Sequence, residues 1–91
     1  MRGQYRVVVL GNAKRMMDVH VKFLSNVSVP ASKRLRATFA SDVRSLSRMP
    51  YRYSYYKEPY RRMLSAKYYL IIYKIVGGTV YVEAIYDGRQ A

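Results

Sequence analysis

The side chains of this sequence that could take part in chemistry are its cations and its tyrosines. Seventeen Lys and Arg stand against five Asp and Glu, which gives a formal net charge of +12, and there are eleven Tyr. Guanidinium and ammonium groups can stabilise the charge that develops on a phosphate during phosphodiester cleavage, and tyrosine rings can stack on nucleobases. The composition therefore predicts a polyanionic partner: a nucleic acid, a ribosome or an acidic protein.

Other kinds of chemistry have little support in the sequence. There is no Cys, which excludes disulfides and thiolate metal sites. The acids are Asp18, Asp42, Glu58, Glu83 and Asp87. Their spacing matches no metal or glycosidase pair, and no glycine-rich phosphate loop is present. His20 is expected to pack or to lie at the surface rather than to act as a base. We therefore expect no metal and no cofactor.

The length and the apolar pattern bound the organisation of the chain. Ninety-one residues predict a single domain, residues 1–91. Neither the first residues nor any apolar stretch has the character of a signal sequence or a membrane span. Together with the lack of Cys, this predicts a cytoplasmic protein with no membrane partner.

The elements that would position the cations begin with a strand and two helices. Residues 5–10 are rich in Val and predict a strand. Asn12 is expected to cap a helix over residues 13–26, where apolar side chains recur at helical spacing. Pro30 suits the first turn of a second helix. Its apolar face is predicted to consist of Leu35, Phe39, Val43 and Leu46.

The second half of the chain predicts strands. Pro50 is expected to end the second helix, and the tyrosine-rich residues 51–59 to form an ordered loop. Strands are predicted over residues 60–65, 67–76 and 79–86, with a hairpin turn at the two glycines of residues 77–78. In the last strand, simple alternation places Val80, Val82 and Ala84 on one face and Tyr81, Glu83 and Ile85 on the other. The order β-α-α-β-β-β predicts an α+β domain with both helices on one face of an antiparallel sheet.

The order of these elements, with particular residues in them, resembles the RelE/ParE toxins of type II toxin–antitoxin systems. The segments that carry the resemblance are Leu-Ser-Arg-Met-Pro (46–50), Tyr-Arg-Arg-Met-Leu (60–64), Tyr-Tyr-Leu-Ile-Ile-Tyr-Lys-Ile (68–75) and Val-Glu-Ala-Ile-Tyr-Asp-Gly-Arg-Gln (82–90). The resemblance implies the RelE/ParE fold, with a helical hairpin followed by a three-stranded meander. It also implies the toxin component of a toxin–antitoxin pair.

The resemblance implies three alternative activities. The first is ribosome-dependent, metal-independent cleavage of mRNA, for which the matching positions assign Arg61 and Arg89 to catalysis. Tyr86 is added as a nearby substitute for the C-terminal tyrosine that nuclease members carry. The residues assigned to nucleic-acid binding are Arg52, Tyr53, Lys57, Arg62, Lys67 and Gln90. The second is inhibition of DNA gyrase without catalysis, and the third is an inactive, antitoxin-bound role. Met63 and Leu70 stand where nuclease members carry basic residues, which favours the second alternative. The charge, the tyrosines, Arg61 and Arg89 favour the first, which is the preferred prediction.

All three alternatives imply the same partner. The resemblance implies an acidic cognate antitoxin, partly disordered before binding, that covers the basic surface and an exposed apolar groove as a helix or an added strand. The expected assembly is a toxin–antitoxin hetero-oligomer. The nuclease alternative adds the ribosome and mRNA as partners, and the gyrase alternative adds DNA gyrase.

Overall fold

The computed structural model describes residues 4–89 as two helices packed on one face of a five-stranded sheet. The elements are β1 (Arg6–Val9), α1 (Gly11–Ser25), α2 (Val29–Ser45), a short 3-10 helix (Pro50–Arg52), β2 (Tyr55–Lys57), β3 (Tyr60–Ser65), β4 (Tyr69–Val76) and β5 (Thr79–Asp87). The strand order is β1-β5-β4-β3-β2. The predicted α+β fold, with a helical hairpin followed by a meander, is confirmed. No helix of the described range is long and apolar enough to cross a membrane.

The sheet is mixed rather than antiparallel, which corrects one part of the prediction. β1 pairs with β5 in parallel, whereas the other neighbouring strands are antiparallel. Between β1 and the rest of the sheet, the chain passes through both helices. This long connection allows the last strand, β5, to lie beside β1 and run in the same direction. The pattern of residues in β1 carries no information about this pairing, since strand orientation depends on the partner.

Local sequence features account for the helix boundaries. Ser28 precedes α2 and its hydroxyl accepts a hydrogen bond from the Ala31 amide (3.2 Å), while Pro30 lies in the first turn as predicted. The prediction for Asn12 was wrong: α1 begins at Gly11, and Asn12 lies inside its first turn. The Asn12 amide instead donates to the backbone carbonyl of Glu83 (3.1 Å). It therefore joins α1 to β5.

The hydrophobic core lies between the helices and the sheet. The predicted face of α2 is confirmed, and Phe39 and Leu46 are fully inaccessible. From the sheet, the core receives Met63, Tyr69, Ile71, Tyr73, Val80, Val82 and Ile85. The ring of Phe39 meets the ring of Tyr69 edge-on, with centroids 5.1 Å apart, a geometry that aromatic pairs prefer.

A β-bulge in β5 overturns the predicted alternation of that strand. Ile72 pairs with Ala84, but the next residue, Tyr73, pairs with Val82, so Glu83 is an extra residue in β5. The bulge reverses the facing of the residues that follow it. Ile85 therefore joins the core with Val82, and Ala84 lies on the opposite face.

The tyrosine-rich segment is more regular than predicted. Residues 51–59 do not form a loop throughout: the 3-10 helix leads into β2, which pairs with β3 through an irregular register between Tyr55 and Lys57. The strand was missed because its side chains are all exposed, so burial imposes no alternation on the sequence. Arg61 and Tyr73 hold this segment against the sheet through hydrogen bonds to its backbone carbonyls.

One buried hydrogen bond ties the 3-10 helix to the sheet. The hydroxyl of Tyr73, on a fully buried ring, donates to the carbonyl of Pro50 (2.5 Å). Burial raises the pKa of Tyr73 from 10.0 to about 12, because an uncharged hydroxyl is favoured away from water. The hydroxyl therefore remains a donor over the whole physiological range of pH.

Tyr73→Phe is expected to lower the free energy of unfolding by about 1–3 kcal/mol, because it leaves the buried Pro50 carbonyl without a donor. The unfolded hydroxyl ionises near pH 10, below its folded pKa of about 12. Wild-type stability should thus fall as the pH rises from about 10 through 12, and the variant should lack this part of the fall. Urea titrations across that range measure both effects. Tyr81→Phe is the control, and an equal loss there would contradict the assignment.

Candidate nucleic-acid interface

The face of the sheet opposite the helices, here called the open face, combines apolar, aromatic and basic side chains. The register of β3, β4 and β5 places on it Tyr60, Arg62, Leu64, Leu70, Ile72, Lys74, Ala84 and Tyr86. Leu64 and Tyr86 are 62% and 45% exposed, respectively. Such large exposed apolar and aromatic groups on one face are typical of a surface that binds a partner.

A groove runs across the open face from β2 to the edge of β5 that β1 leaves unpaired, where α1 lies alongside. Two adjoining hollows form it, and both are lined by Tyr56 and Tyr86. Leu70 lies in one hollow, and Ile72 and Ala84 lie in the other. Two tyrosines above an aliphatic floor offer flat surfaces against which a nucleobase or an apolar side chain can pack.

Side chains of α1 close the groove along β5. His20 and Met16 line one hollow and Asn12 lines the other. The Nε2 atom of His20 lies 2.7 Å from the carbonyl oxygen of Ile85 and must donate, because a carbonyl can only accept. The imidazole also packs against the ring of Tyr69, with centroids 5.0 Å apart. Of the two places predicted for His20, packed or at the surface, the structure shows the packed one.

Three cations lie in or near the groove. Lys57 lines it beside Tyr60, while Arg62 on β3 and Lys74 on β4 share the open face with it. The Lys74 ammonium lies 5.7 Å from the centre of the Tyr60 ring and 3.7 Å from the carboxylate of Glu83. Lys57 and Arg62 form no ion pair within residues 4–89. These two charges are available to a polyanion.

Arg61 lies on the other side of β3 and has structural partners. Its Nη1 donates to the carbonyl of Tyr53 (2.6 Å) and, over a longer distance, to that of Tyr51 (3.4 Å). The guanidinium also stacks over the ring of Tyr55, 4.2 Å from its centroid. As strand alternation predicts, Arg61 and Arg62 point to opposite faces. Arg61 holds the tyrosine-rich segment against the sheet.

Arg61→Ala is expected to lower the free energy of unfolding by about 1.5–3 kcal/mol, because charge-assisted hydrogen bonds to backbone carbonyls are lost. Arg62→Ala, one residue away and exposed, is expected to change it by no more than about 0.5 kcal/mol. Urea denaturation of both variants measures the difference. Equal stability of the two variants would show that the Arg61 contacts contribute nothing to the fold.

Arg89 follows the end of β5 and forms a bidentate ion pair. Its Nε and Nη2 atoms lie 3.0 and 2.9 Å from the two carboxylate oxygens of Asp87. Hydrogen bonds from this side chain, and one from the Arg89 backbone amide, hold the pKa of Asp87 below its usual value. The guanidinium stacks over the ring of Tyr68, 4.5 Å from its centroid.

The structure does not bring Arg61 and Arg89 together. Arg61 is level with Tyr73 on β4, whereas Asp87, two residues before Arg89, is level with Tyr69. Four residues along a strand correspond to about 13 Å, and β4 lies between the strands that carry the two arginines. Tyr86 is on the open face, apart from Arg61 on the helix side.

Comparison with known proteins identifies the architecture. A solved structure described as a chromosomal ParDE TA system from P. aeruginosa superposes with a TM-score of 0.81, covering 93% of this chain and 97% of that chain at 9% sequence identity. The protein has a RelE/ParE-like fold. No protein-family model and no curated protein matches the sequence.

The residues predicted to bind nucleic acid are dispersed over this RelE/ParE-like fold. Lys57 and Arg62 are the predicted cations that share the open face with Tyr86. Arg52 is exposed in the 3-10 helix, 5.2 Å from the ring of Tyr53, which packs against the core. Lys67 lies in the turn between β3 and β4, on the helix side. Gln90 lies outside the described residues.

Two side chains of the open-face site, Tyr60 and Lys74, were not predicted from the sequence. Both could have been found, because each is an even number of residues from another open-face position on its own strand. Tyr56 belongs to the tyrosine-rich segment, whose rings were candidates for stacking on bases, but its place above the groove depends on the irregular pairing of β2 with β3. Met63, noted as a departure from the nuclease pattern, is a core residue with 4% exposure.

Proposed function

We propose that this protein is the toxin of a type II toxin–antitoxin pair and that it acts on mRNA at the ribosome through the open face. The observation that supports the target is the meeting of Lys57 and Arg62 with Tyr56 and Tyr86 on one surface. Cations that contact phosphates beside rings that stack on bases are the recurrent features of single-stranded nucleic-acid sites. Such a target would place its action in the cytoplasm.

Cleavage in this groove would be a metal-independent transesterification. The 2′-hydroxyl of a nucleotide gives its proton to a solvent water, and its oxygen attacks the adjacent phosphorus. The bond to the 5′-oxygen breaks, and a 2′,3′-cyclic phosphate and a 5′-hydroxyl end result. Arg62 and Lys57 would stabilise the additional negative charge of the transition state. The Tyr86 hydroxyl would donate a proton to the leaving 5′-oxygen. In this mechanism Arg62, and not the predicted Arg61, stabilises the charge. Arg61 is bound to backbone carbonyls on the other face of the sheet.

Inhibition of DNA gyrase without catalysis is the second candidate function. The observation that favours it is that Arg61 and Arg89, two of the three residues assigned to cleavage, lie apart and have partners of their own. The same basic open face would then bind a protein–DNA complex, and no bond would be broken.

Brief induction followed by mapping of mRNA 5′ ends separates these functions. New ends within translated codons, lost when translation is blocked, would support cleavage at the ribosome. Growth arrest with intact mRNA and a loss of plasmid supercoiling would favour gyrase. Normal growth after accumulation of folded protein would leave only the inactive, antitoxin-bound role.

The expected partner in every case is an acidic antitoxin. The charge of +12 favours an acidic protein, and exposed apolar side chains near the end of the helical hairpin offer it a second kind of contact. These side chains are Val19, Phe23, Val27 and Val29, each more than half exposed. Co-expression of the antitoxin should restore growth in cells that make the toxin.

A further inference from the structure

The hollow of the open-face groove that contains Glu83, here called the bulge hollow, holds a carboxylate that a site for phosphates alone would not need. Its volume is about 320 Å³, within the range of sites for small ligands. Its lining is mainly apolar and aromatic and includes Tyr56, Tyr60, Ile72, Ala84 and Tyr86. A flat ring between these side chains would have Glu83 at its edge.

The β-bulge of β5 places this carboxylate. Ile72 pairs with Ala84 and Tyr73 pairs with Val82, so Glu83 has no partner of its own in β4. Its backbone carbonyl instead accepts a hydrogen bond from the Asn12 amide of α1 (3.1 Å). Bulges that redirect a side chain are frequent beside binding sites. The extra residue and its contact with α1 therefore look like parts of a site, and not only an irregularity of the strand.

A carboxylate at this place opposes the binding of phosphate. Lys57, Arg62 and Lys74 on the same face attract a polyanion. The Glu83 carboxylate lies 3.7 Å from the Lys74 ammonium, which is longer than a hydrogen bond, so its oxygens keep their capacity to accept. The donors of a nucleotide lie on its base and its ribose, and the aromatic lining of the hollow favours the base.

Guanine is the base whose edge suits a carboxylate best. Its N1–H and its 2-amino group lie side by side and can bind the two oxygens of one carboxylate. Adenine and cytosine have one amino group beside a ring nitrogen that only accepts, and uracil has one N–H between two carbonyl oxygens. Each of these bases can give Glu83 one hydrogen bond where guanine gives two. The Lys74 ammonium beside Glu83 adds a donor for the guanine O6 atom.

A cationic side chain of a protein is the other ligand that tyrosines and a carboxylate can bind. The surroundings oppose it, because Lys57 lines the hollow itself and Lys74 lies next to Glu83. A further positive charge would be repelled by both, and by the overall charge of +12. The same charges favour a base that is followed by a phosphate.

We propose that the bulge hollow binds a guanine base of single-stranded RNA, with Glu83 accepting from N1–H and the 2-amino group and Lys74 donating to O6. The choice of RNA as the source of the base rests on the proposed function. The choice of guanine rests on the hollow alone, and a free guanine nucleotide would present the same edge.

The test is an NMR titration of the isotope-labelled full chain with the RNA pentanucleotide U-U-G-U-U, methylated at every 2′-oxygen so that it cannot be cleaved. The expected result is saturable shifts of the Ile72, Glu83 and Ala84 amides, with an affinity about tenfold above that of U-U-U-U-U. Inosine in place of guanine removes only the 2-amino group and should give an intermediate affinity. Equal affinity of the three strands would overturn the proposal.

Two further ligands test the source of the base and the class of ligand. Guanosine 5′-monophosphate should shift the same amides more weakly than U-U-G-U-U, because it lacks the neighbouring phosphates and bases. Equal affinity of the mononucleotide would overturn RNA as the source. Tighter binding of the peptide Gly-Arg-Gly than of U-U-G-U-U at these amides would overturn the assignment to a base.

Glu83→Gln separates recognition of the base from the effect of charge. The affinity for U-U-G-U-U should fall about tenfold, whereas the affinity for U-U-U-U-U should stay equal or rise, because a carboxylate that repels phosphates is gone. Asp18→Asn is the control, since it removes the same charge from an exposed ion pair with Arg36 on the helices, and it should keep the preference for guanine. A parallel change of both affinities in Glu83→Gln would show that Glu83 acts through its charge alone. The inosine comparison uses the wild-type chain and tests the hollow independently of how this variant folds.

The failure of this proposal and that of the proposed function are distinguishable. A preference for guanine in a chain that neither cleaves mRNA nor arrests growth would leave the bulge hollow standing and count against the toxin activity alone. Cleavage of mRNA at the ribosome, with ends that show no guanine at a fixed position and with no preference among the pentanucleotides, would overturn the guanine site alone.

Discussion

Charge reversal of both Lys57 and Arg62 is expected to abolish growth arrest without unfolding the protein. Both side chains are exposed, and neither has an ion-pair partner within the described part of the chain. Replacing two cations with two carboxylates converts attraction for phosphates into repulsion, which should reduce affinity for a nucleic-acid target by about a hundredfold. Growth after induction and binding to ribosomes or single-stranded RNA measure the effect.

The control for this prediction is Lys14→Glu with Arg48→Glu, which changes the net charge equally at exposed positions of α1 and of the segment after α2. A larger loss of activity in the variant of Lys57 and Arg62 than in the control variant, at equal thermal stability, would assign the activity to the open face. If the two pairs lose activity equally, the overall charge of the protein determines its toxicity and the open face has no special role.

Phe39→Ala is expected to remove most of the stability of the domain. The ring has no accessible surface and packs edge-on against Tyr69. Its loss leaves a cavity under the helical hairpin, at a cost of about 3–5 kcal/mol. A domain of this size has a total stability on the order of 5–10 kcal/mol, so the variant should unfold at a much lower urea concentration.

Phe23→Ala provides a matched control, because this ring is 72% exposed on α1. The same substitution there should change the free energy of unfolding by less than about 0.5 kcal/mol. Urea midpoints of the two variants test the comparison. A small change in the free energy of unfolding for Phe39→Ala would mean that contacts outside this core hold the helices and the sheet together.

The helices and most strands were predictable, because buried apolar side chains recur along the sequence at the spacing of the helix or strand that carries them. The spacing of Leu35, Phe39 and Val43 predicts the inner face of α2, and all three are buried. The pairing of β1 with β5 was not predictable, since it depends on which strand lies beside β1 after the chain has passed through two helices. The bulge at Glu83 was missed for a related reason: an extra residue is visible only against the register of the partner strand.

The candidate site was predictable in composition but not in arrangement. Cations and tyrosines pointed to a polyanion, and strand alternation separated Arg61 from Arg62. What the sequence could not supply is that Arg61 would bind the carbonyl of Tyr53, or that Tyr56 would share a groove with Tyr86. The first contact joins the segment before β2 to β3, the second brings β2 close to β5, and each requires the folded sheet.

The parallel pairing of β1 with β5 also governs when the protein becomes complete during its own synthesis. Of the elements described, β1 is made first, yet its strand partner, β5, is made last. Contacts that are so distant along the chain can form only after β5 has left the ribosome, and they carry a large entropic cost of closure. The nascent sheet should therefore stay without its β1 edge until β5 has emerged, and any activity that needs the complete sheet should appear only then.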